Sequence, residues 1–241
     1  MPVVRAILVF VATIFFGSLG VLLSFFDSTG NRQLVLARAW GRVLLAVGGV
    51  KVCVEGLEKL APDGSYIFVS NHLSYMDTPV MLANIPVQFR FLAKKGLFQI
   101  PFLGTHLARA GHIPVYRGDP RAAVKTMGLA AQAVRERGTS LLVFPEGGRS
   151  RKGELGAFKE GAAYIAIKAG VPLVPVALKG TREVLPFGSG RIRPGKVSMK
   201  IGALIPTTGL KLHDRERVTQ ELRNQIVALL EADKVTPCVS S

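Results

Sequence analysis

From residue 51 onward, short apolar runs rich in β-branched residues alternate with longer segments whose apolar positions recur at helical spacing. The short runs predict seven strands, at residues 52–54, 66–69, 90–93, 112–116, 141–144, 173–178 and 197–201. The longer segments predict helices at residues 78–84, 120–137, 160–169 and 214–232. This alternation is typical of α/β proteins, so we expect a mostly parallel central sheet flanked by helices.

An apolar segment without charges, residues 6–26, precedes this pattern. As a helix it matches the roughly 30 Å hydrocarbon core of a bilayer, so we expect it to span the membrane or to lie in one leaflet. A cleaved signal peptide is the alternative, because Arg5 precedes the run. No A-x-A-like cleavage site follows the run, which favours retention of the segment.

A second, predominantly apolar helix is predicted at residues 33–50, where Arg38 and Arg42 lie one turn apart on the same face. Arginine at the centre of a bilayer costs at least about 2.5–3.5 kcal/mol. We therefore expect this helix to lie in the membrane interface, with both guanidinium groups at lipid phosphates. The alternative is an amphipathic helix packed on the following domain. The expected organisation is a two-helix membrane-attachment segment at residues 1–50 and one domain at residues 51–241.

The charge of the chain indicates an anionic partner. There are 31 lysines and arginines against 16 aspartates and glutamates, which gives a formal net charge of +15. Nucleic acid and an anionic bilayer would both satisfy this excess. The mean hydropathy of +0.33 favours lipid, so we expect an anionic membrane surface as a partner and no nucleic acid.

The stretch Asn71-His-Leu-Ser-Tyr-Met-Asp77 directly follows a predicted buried strand. Open α/β sheets bind ligands at the carboxyl ends of their strands, so His72 is placed where it can reach a substrate. In that position His72 can act as a general base, with Asp77 accepting a hydrogen bond from the other ring nitrogen. Capping of the next helix is the alternative role for Asp77. The other three histidines have no acid five positions later, and we expect them to be surface or packing residues.

A second polar stretch, Phe144-Pro-Glu-Gly-Gly-Arg-Ser150, follows the predicted strand 141–144 and should emerge at the same edge. Gly147 allows close backbone approach to an anion, and Arg149 offers a planar fork for a phosphate. Glu146 is expected to bind a substrate hydroxyl or to orient Arg149. A glycine-rich surface turn is the alternative for this motif taken alone.

Together with Val171-Pro-Leu-Val-Pro-Val176, these stretches resemble the motifs of the glycerolipid H-x4-D acyltransferase family, in particular of its 1-acyl-sn-glycerol-3-phosphate (lysophosphatidate) acyltransferases. The resemblance runs from residue 52 to residue 178, in the family's order. Gly111-His-Ile-Pro-Val-Tyr-Arg117 resembles an intervening block of the family, and Lys94-Lys95 resembles its lysine pair. The chain departs from the pattern at Gly148, where the family usually has threonine.

The resemblance implies that residues 51–241 are an acyltransferase catalytic domain with His72 and Asp77 as its catalytic residues. The implied reaction moves a fatty acyl group from a thioester to the free 2-hydroxyl of a lysophosphatidate, forming phosphatidate without an acyl-enzyme. No G-x-S-x-G elbow is present and neither cysteine lies beside a motif, which agrees with direct attack. Acyl-CoA or an acyl carrier protein thioester is then a co-substrate, and we expect no bound cofactor and no metal.

Cationic side chains near the strand ends are the candidates for binding the acceptor's phosphate. With Glu146 and Gly147, the substrate-binding candidates are Lys94, Lys95, Arg117 and Arg149. For each single cation the alternative is a solvated surface charge.

Other functions stay open at this point. An acyltransferase for another lysolipid, such as a lyso-phospholipid or a lyso-amino-lipid, would use the same motifs. A non-catalytic basic lipid-binding protein would explain the charge and the anchor, and a lipid hydrolase would release free fatty acid without an acceptor. Because the implied donor is cytosolic, we expect attachment to the cell inner membrane with the catalytic domain on the cytoplasmic side.

Overall fold

The computed structural model describes residues 2–27, 29–116, 120–149, 153–186 and 188–232. Within these ranges seven strands form one sheet: β1 Val50–Glu55, β2 Ile67–Ser70, β3 Phe89–Lys94, β4 Ile113–Val115, β5 Ser140–Val143, β6 Leu173–Lys179 and β7 Gly195–Ile201. Their order is β1-β7-β6-β2-β5-β3-β4, and all neighbours run parallel except β6 and β7. The predicted α/β fold with a mostly parallel sheet is therefore confirmed, and each predicted strand corresponds to an observed one.

Helices cover both faces of this sheet. The described α-helices are α1 Pro2–Ser24, α2 Asn31–Gly48, α3 Asp77–Asn84, α4 Leu103–Arg109, α5 Pro120–Arg137, α6 Gly161–Ala169, α7 Thr181–Val184 and α8 Arg215–Glu231. Single 3₁₀ turns lie at Leu57–Lys59, Lys95–Gln99 and Leu212–Asp214. The sequence did not predict α4 and α7, which are too short to show a helical period.

The apolar runs of the strands are continuous because both faces of the sheet are buried. Phe68 on β2 and Leu142 on β5 point into the cluster that also contains residues of α2 and α3. The preceding residues, Ile67 and Leu141, point into the opposite cluster, which contains residues of α5, α6 and α8. Consecutive strand residues thus pack against helices on opposite faces of the sheet. The loops that follow the strands lie at the edge of the sheet, between these two layers of helices.

Helix α1 is long and apolar enough to cross a membrane over Val3–Ser24, and nearly all of this surface faces outward. It packs sideways on the domain, where Trp40 Nε1 of α2 donates to Thr13 Oγ1 at 3.2 Å. An apolar N-terminal helix of this kind is a feature of membrane-associated proteins.

Helix α2 packs on the domain. Its Leu34 and Leu45 are buried in the cluster beneath it. Arg38 Nη2 donates to the carbonyls of Ile85 at 2.9 Å and Val87 at 2.6 Å, just beyond the end of α3. The expectation that Arg38 lies at lipid phosphates is therefore wrong, because unpaired carbonyls near a helix end offered a partner inside the protein.

Replacing Arg38 with alanine is expected to lower the free energy of unfolding by about 1.5–3 kcal/mol, because two carbonyls lose a charged donor. Arg42→Ala is the matched control, since Arg42 is exposed on the same helix, and should change stability by less than about 0.5 kcal/mol. Denaturation in detergent measures both. Equal losses in the two variants would contradict the role assigned to Arg38.

The turn between α1 and α2 is tied to the sheet. The guanidinium of Arg90 on β3 is buried, and its Nη2 donates to the carbonyl of Thr29 and to Asn31 Oδ1, both at 2.8 Å. Within the turn, Asp27 accepts hydrogen bonds from the backbone of Thr29, Gly30 and Gln33. These bonds fix the end of α1 relative to β3.

Candidate active site

The loop after β2 is anchored by Asn71. Its side-chain amide pairs with the backbone of Leu178 on β6: Nδ2 donates to the Leu178 carbonyl, and the Leu178 N–H donates to Oδ1, each at 2.8 Å. These two hydrogen bonds extend the pairing of β2 with β6 by one residue beyond the end of β2. They thereby set the direction of the backbone immediately before His72. Asn71 is not among the predicted site residues, because its partner is 107 residues away.

His72 and Asp77 lie together at this edge. Asp77 Oδ2 is 2.8 Å from His72 Nδ1 and also accepts the backbone N–H groups of Leu73 and Ser74 at 2.8 and 2.9 Å. Because a carboxylate can only accept, Nδ1 carries the ring proton and Nε2 is left as the basic nitrogen. No hydrogen bond joins Nε2 to a residue of the described ranges. Asp77 is the first residue of α3, after the N-cap residue Met76, and its Oδ2 bonds back to residues 72–74 of the loop before the helix.

The loop after β5 holds the histidine from the other side. The ring of Phe144 is stacked on the His72 imidazole, with centroids 3.9 Å apart and planes 14° from parallel. Glu146 Oε1 accepts the His72 backbone N–H at 2.8 Å, and Oε2 accepts the Gly156 N–H at 3.0 Å. Neither bond is the substrate or Arg149 contact expected from the sequence. Glu146 instead connects three segments of backbone around the imidazole.

Arg149 lies on the loop after β5 and contacts two residues between His72 and Asp77. Its Nε donates to the carbonyl of Ser74 at 3.3 Å, and its guanidinium carbon lies 3.8 Å from the centroid of the Tyr75 ring. Ser74 is itself held, because its hydroxyl donates to the Leu185 carbonyl at 2.8 Å. A planar cation of one loop thus packs against the other loop, which carries the imidazole.

A further cation lies over the glycine of this loop. Gly147 has a φ of +72°, and a Cβ atom at this position would come within 3.0 Å of Lys159 Nζ. Glycine therefore serves both the turn and the approach of the lysine. Lys159 is not among the predicted site residues, because it lies 13 positions beyond Glu146 and outside the quoted motifs.

The remaining candidates lie farther along the edge. Lys94 is the last residue of β3 and Lys95 follows it, two strands and about 10 Å from β2, and both are exposed. Lys95 Nζ lies 4.4 Å from the centroid of the Tyr116 ring, beyond the end of β4. Neither lysine is hydrogen bonded to His72 or Asp77 within the described ranges. Arg117 lies outside the described residues.

His112 lies just before β4, and its ring is enclosed by the neighbouring strand. Nδ1 accepts the Phe91 N–H at 3.0 Å, and the two rings are 5.5 Å apart. Burial, with the positive charge of Arg90, lowers the pKa of His112 to about 3.

His106 is also packed inside, and burial lowers its pKa, whereas His213 is exposed. The expectation of surface and packing histidines is confirmed for these three.

The depressed pKa of His112 predicts acid lability. The unfolded chain binds a proton at this residue near pH 6.5 and the folded chain only near pH 3, so stability falls as the pH drops through this window. Between pH 6.5 and 5 the loss is about 1.6 kcal/mol. His112→Asn keeps an acceptor near the Nδ1 position and should remove this part of the loss. Parallel unfolding curves of the wild type and the variant over this range would contradict the assignment.

The described residues contain no group of three or more His, Cys, Asp and Glu side chains that could hold a metal ion. The groups that the structure brings together at this edge are the His72 imidazole, the Asp77 carboxylate and Arg149 on the neighbouring loop.

The model of the family described as "Acyltransferase" matches residues 51–179. This range includes both loops of the site and more than half of the chain. The chain therefore belongs to the acyltransferase family, as the motifs predicted.

The chain is also similar to individual proteins that are named as acyltransferases of one acceptor. The chain is 36% identical over 193 residues to the chloroplastic 1-acyl-sn-glycerol-3-phosphate acyltransferase BAT2 of Brassica napus, covering 79% of this chain and 54% of the relative. It is 32% identical over 207 residues to the 1-acyl-sn-glycerol-3-phosphate acyltransferase of Borreliella burgdorferi, covering 84% and 81%. The chain spans about half the length of the plant relatives it matches.

The fold also matches a solved structure, that of the 1-acyl-sn-glycerophosphate (LPA) acyltransferase PlsC from Thermotoga maritima. The TM-score is 0.79 and the sequence identity 27%, with 98% of each chain covered. The similarity thus extends beyond the family-model range to the N-terminal helices.

Proposed function

We propose that the protein is an enzyme that transfers a fatty acyl group from a thioester to the sn-2 hydroxyl of 1-acyl-sn-glycerol 3-phosphate, forming phosphatidate. The observation that carries this proposal is the oriented imidazole of His72, held 2.8 Å from a buried Asp77 at the carboxyl edge of the sheet. Membership of the acyltransferase family supports the reaction type, and the names of the relatives support the acceptor.

In the proposed reaction, His72 Nε2 takes the proton of the acceptor hydroxyl while the oxygen attacks the thioester carbonyl. The tetrahedral intermediate then collapses, the carbon–sulfur bond breaks, and the thiolate leaves with the proton from the imidazolium. Asp77 holds the Nδ1–H and stabilises the cation that forms during the transfer. The donor is acyl-CoA or an acyl carrier protein thioester, used as a co-substrate with no bound cofactor.

The acceptor's phosphate is assigned to Arg149, which packs against the loop that carries His72, and to Lys94, Lys95 and Arg117 farther along the edge. Arginine is suited to this role because its planar fork can bind two phosphate oxygens. Stacking on Tyr75 limits the motion of the guanidinium, which lowers the entropy lost on binding.

Arg149→Met is expected to raise the KM for lysophosphatidate by roughly 10–100-fold, because one charge-assisted contact to the phosphate is lost. The KM for a monoacylglycerol, which has no phosphate, should change little. Arg135→Met is the control, since Arg135 is exposed at the far end of α5. Steady-state kinetics with both acceptors measure the effect, and equal changes for the two would contradict a phosphate contact.

Residues 1–50 are proposed to attach residues 51–241 to the membrane, with α1 in the bilayer and α2 joining it to the catalytic domain. A cytosolic donor requires the site to face the cytoplasm, so the proposed location is the cytoplasmic face of the cell inner membrane. The anionic surface of that membrane complements the net charge of +15.

The acceptor is tested by supplying the purified protein with CoA and carrier-protein thioesters and a panel of lysolipids. Lysophosphatidate should be acylated fastest, with phosphatidate as the product. Faster acylation of a lyso-phospholipid or a lyso-amino-lipid would overturn the assigned acceptor. A protein that binds lysolipid vesicles but transfers no acyl group to any acceptor would be a lipid-binding module.

A further inference from the structure

The segment between β3 and α4 exposes an unusual amount of apolar surface. Four large apolar side chains occur within seven residues, with exposed fractions of 39% for Leu97, 46% for Ile100, 74% for Phe102 and 38% for Leu103. We call residues 97–103 the apolar turn. Contiguous exposed apolar surface of this kind marks an interaction site, because leaving it in water is unfavourable.

The backbone of the apolar turn is strained so as to present Phe102. Its φ is +63° and its ψ −52°, and among the described residues it is the one non-glycine residue with a positive φ. Such conformations persist only where the surroundings hold them. Here the turn closes on itself, since the Gly104 N–H donates to the Ile100 carbonyl at 2.8 Å. A Cβ at Gly104 would lie only 2.0 Å from the Phe98 carbonyl oxygen.

The apolar turn lies beside the end of α1. It leads into α4, a helix about 10 Å long, which packs on the last turns of α1. The His106 ring approaches Gly20, with 3.0 Å to a Cβ placed there. Arg109 Nε donates to the Ser24 carbonyl at 2.7 Å, and its guanidinium carbon lies 5.0 Å from the Phe25 ring centroid. Phe25 is exposed as well, so two apolar surfaces lie at the same end of the membrane-length helix.

We propose that the apolar turn inserts into the surface of the lipid bilayer next to α1, which gives the catalytic domain a membrane contact of its own. Lipid is the occupant because the turn leads into α4, which packs on α1, the helix that is long and apolar enough to span a membrane. Lys94 and Lys95 precede the turn and can reach headgroup phosphates. This inference rests on membrane attachment and not on the proposed reaction.

Insertion also orients the site. The apolar turn follows the carboxyl end of β3, and His72 follows the carboxyl end of β2 at the same edge of the sheet. A bilayer contact at the turn therefore brings this edge to the headgroup plane. A lysolipid can then present its glycerol hydroxyl to the site while its acyl chain stays in the membrane.

Tryptophan quenching tests the contact in the full-length protein. Phe102→Trp is compared with Leu129→Trp, because Leu129 is also exposed, at 56%, but lies on α5 across the sheet. Both variants and the wild type keep Trp40 as a common background. In nanodiscs made with brominated acyl chains, Phe102→Trp should show quenching beyond the wild type, and Leu129→Trp should not. The readout needs no activity, so it fails or succeeds independently of the proposed reaction.

Quenching of Phe102→Trp no greater than that of the wild type would overturn the insertion. A blue-shifted emission without bromine quenching would also overturn it, since a second copy or another protein would then cover the turn.

Kinetics give a second measurement. Phe102→Asp should raise the KM for lysophosphatidate in vesicles about tenfold or more, as expected when one large apolar side chain no longer enters the membrane. The KM for a short-chain acceptor dissolved in water should stay unchanged. Leu129→Asp should change neither value. An equal effect of Phe102→Asp on the two acceptors would contradict a membrane contact.

Discussion

His72→Ala is expected to lower kcat for acyl transfer by about 10²–10⁴-fold, the range contributed by a positioned general base. Its Nε2 is the nitrogen left to accept a proton, because Nδ1 is engaged by Asp77 at 2.8 Å. Binding of vesicles that contain lysophosphatidate should be unchanged, since the surrounding cations and the membrane contacts remain. Acyl transfer and vesicle sedimentation, measured on the same preparations, separate the two effects.

The control for this substitution is His213→Ala, because the His213 side chain is 76% exposed and lies away from the sheet edge. It should retain the wild-type rate. Thermal denaturation of both variants checks folding, since His72 also loses its stacking with Phe144. A correctly folded His72→Ala protein with a wild-type kcat would show that His72 is not the general base.

Asp77→Asn is expected to lower kcat by a similar factor, about 10²–10⁴-fold, with a small change in KM. A neutral amide does not stabilise the imidazolium, and it cannot replace both carboxylate oxygens. If the amide oxygen takes the place of Oδ2, which accepts three hydrogen bonds, the NH₂ group takes the place of Oδ1. That position is buried and has no hydrogen-bond partner among the described residues.

The same substitution should therefore also lower the free energy of unfolding by about 1–3 kcal/mol, the cost of a buried donor without an acceptor. Asp63→Asn is the matched control, because Asp63 is exposed in a surface turn, and it should change neither quantity. Loss of stability in Asp77→Asn with no loss of kcat would show that Asp77 only shapes the loop.

The strands of this fold were predictable because burial of both sheet faces leaves uninterrupted apolar runs in the sequence. The packing of α2 could not be predicted, because its pattern of apolar and polar positions fits a helix in the membrane interface as well as a helix packed on a domain. The deciding contact joins Arg38 to carbonyls 47 and 49 residues away. Helix α4 was not predicted either, because its seven residues are too few to show a helical period.

The site divides in a similar way. His72 and Asp77 could be predicted as a pair because they lie five positions apart on one loop. Glu146 was selected, but its hydrogen bond to the backbone of His72 spans 74 residues. That bond depends on β2 and β5 being neighbours in the sheet. The order of the strands is set by the whole fold and cannot be read from a local motif. The motifs therefore identified the imidazole and the carboxylates, but not the hydrogen bonds that hold them in place.

The central claim is that the acceptor hydroxyl, deprotonated by His72, attacks the thioester directly. It is tested by measuring thiol release from the donor with lysophosphatidate, with its 2-deoxy analogue and with no acceptor. The account predicts thiol release equal to phosphatidate formed in the first case, and none above the uncatalysed rate in the other two. Thiol release at the full rate without an acceptor hydroxyl would contradict it and identify a hydrolase.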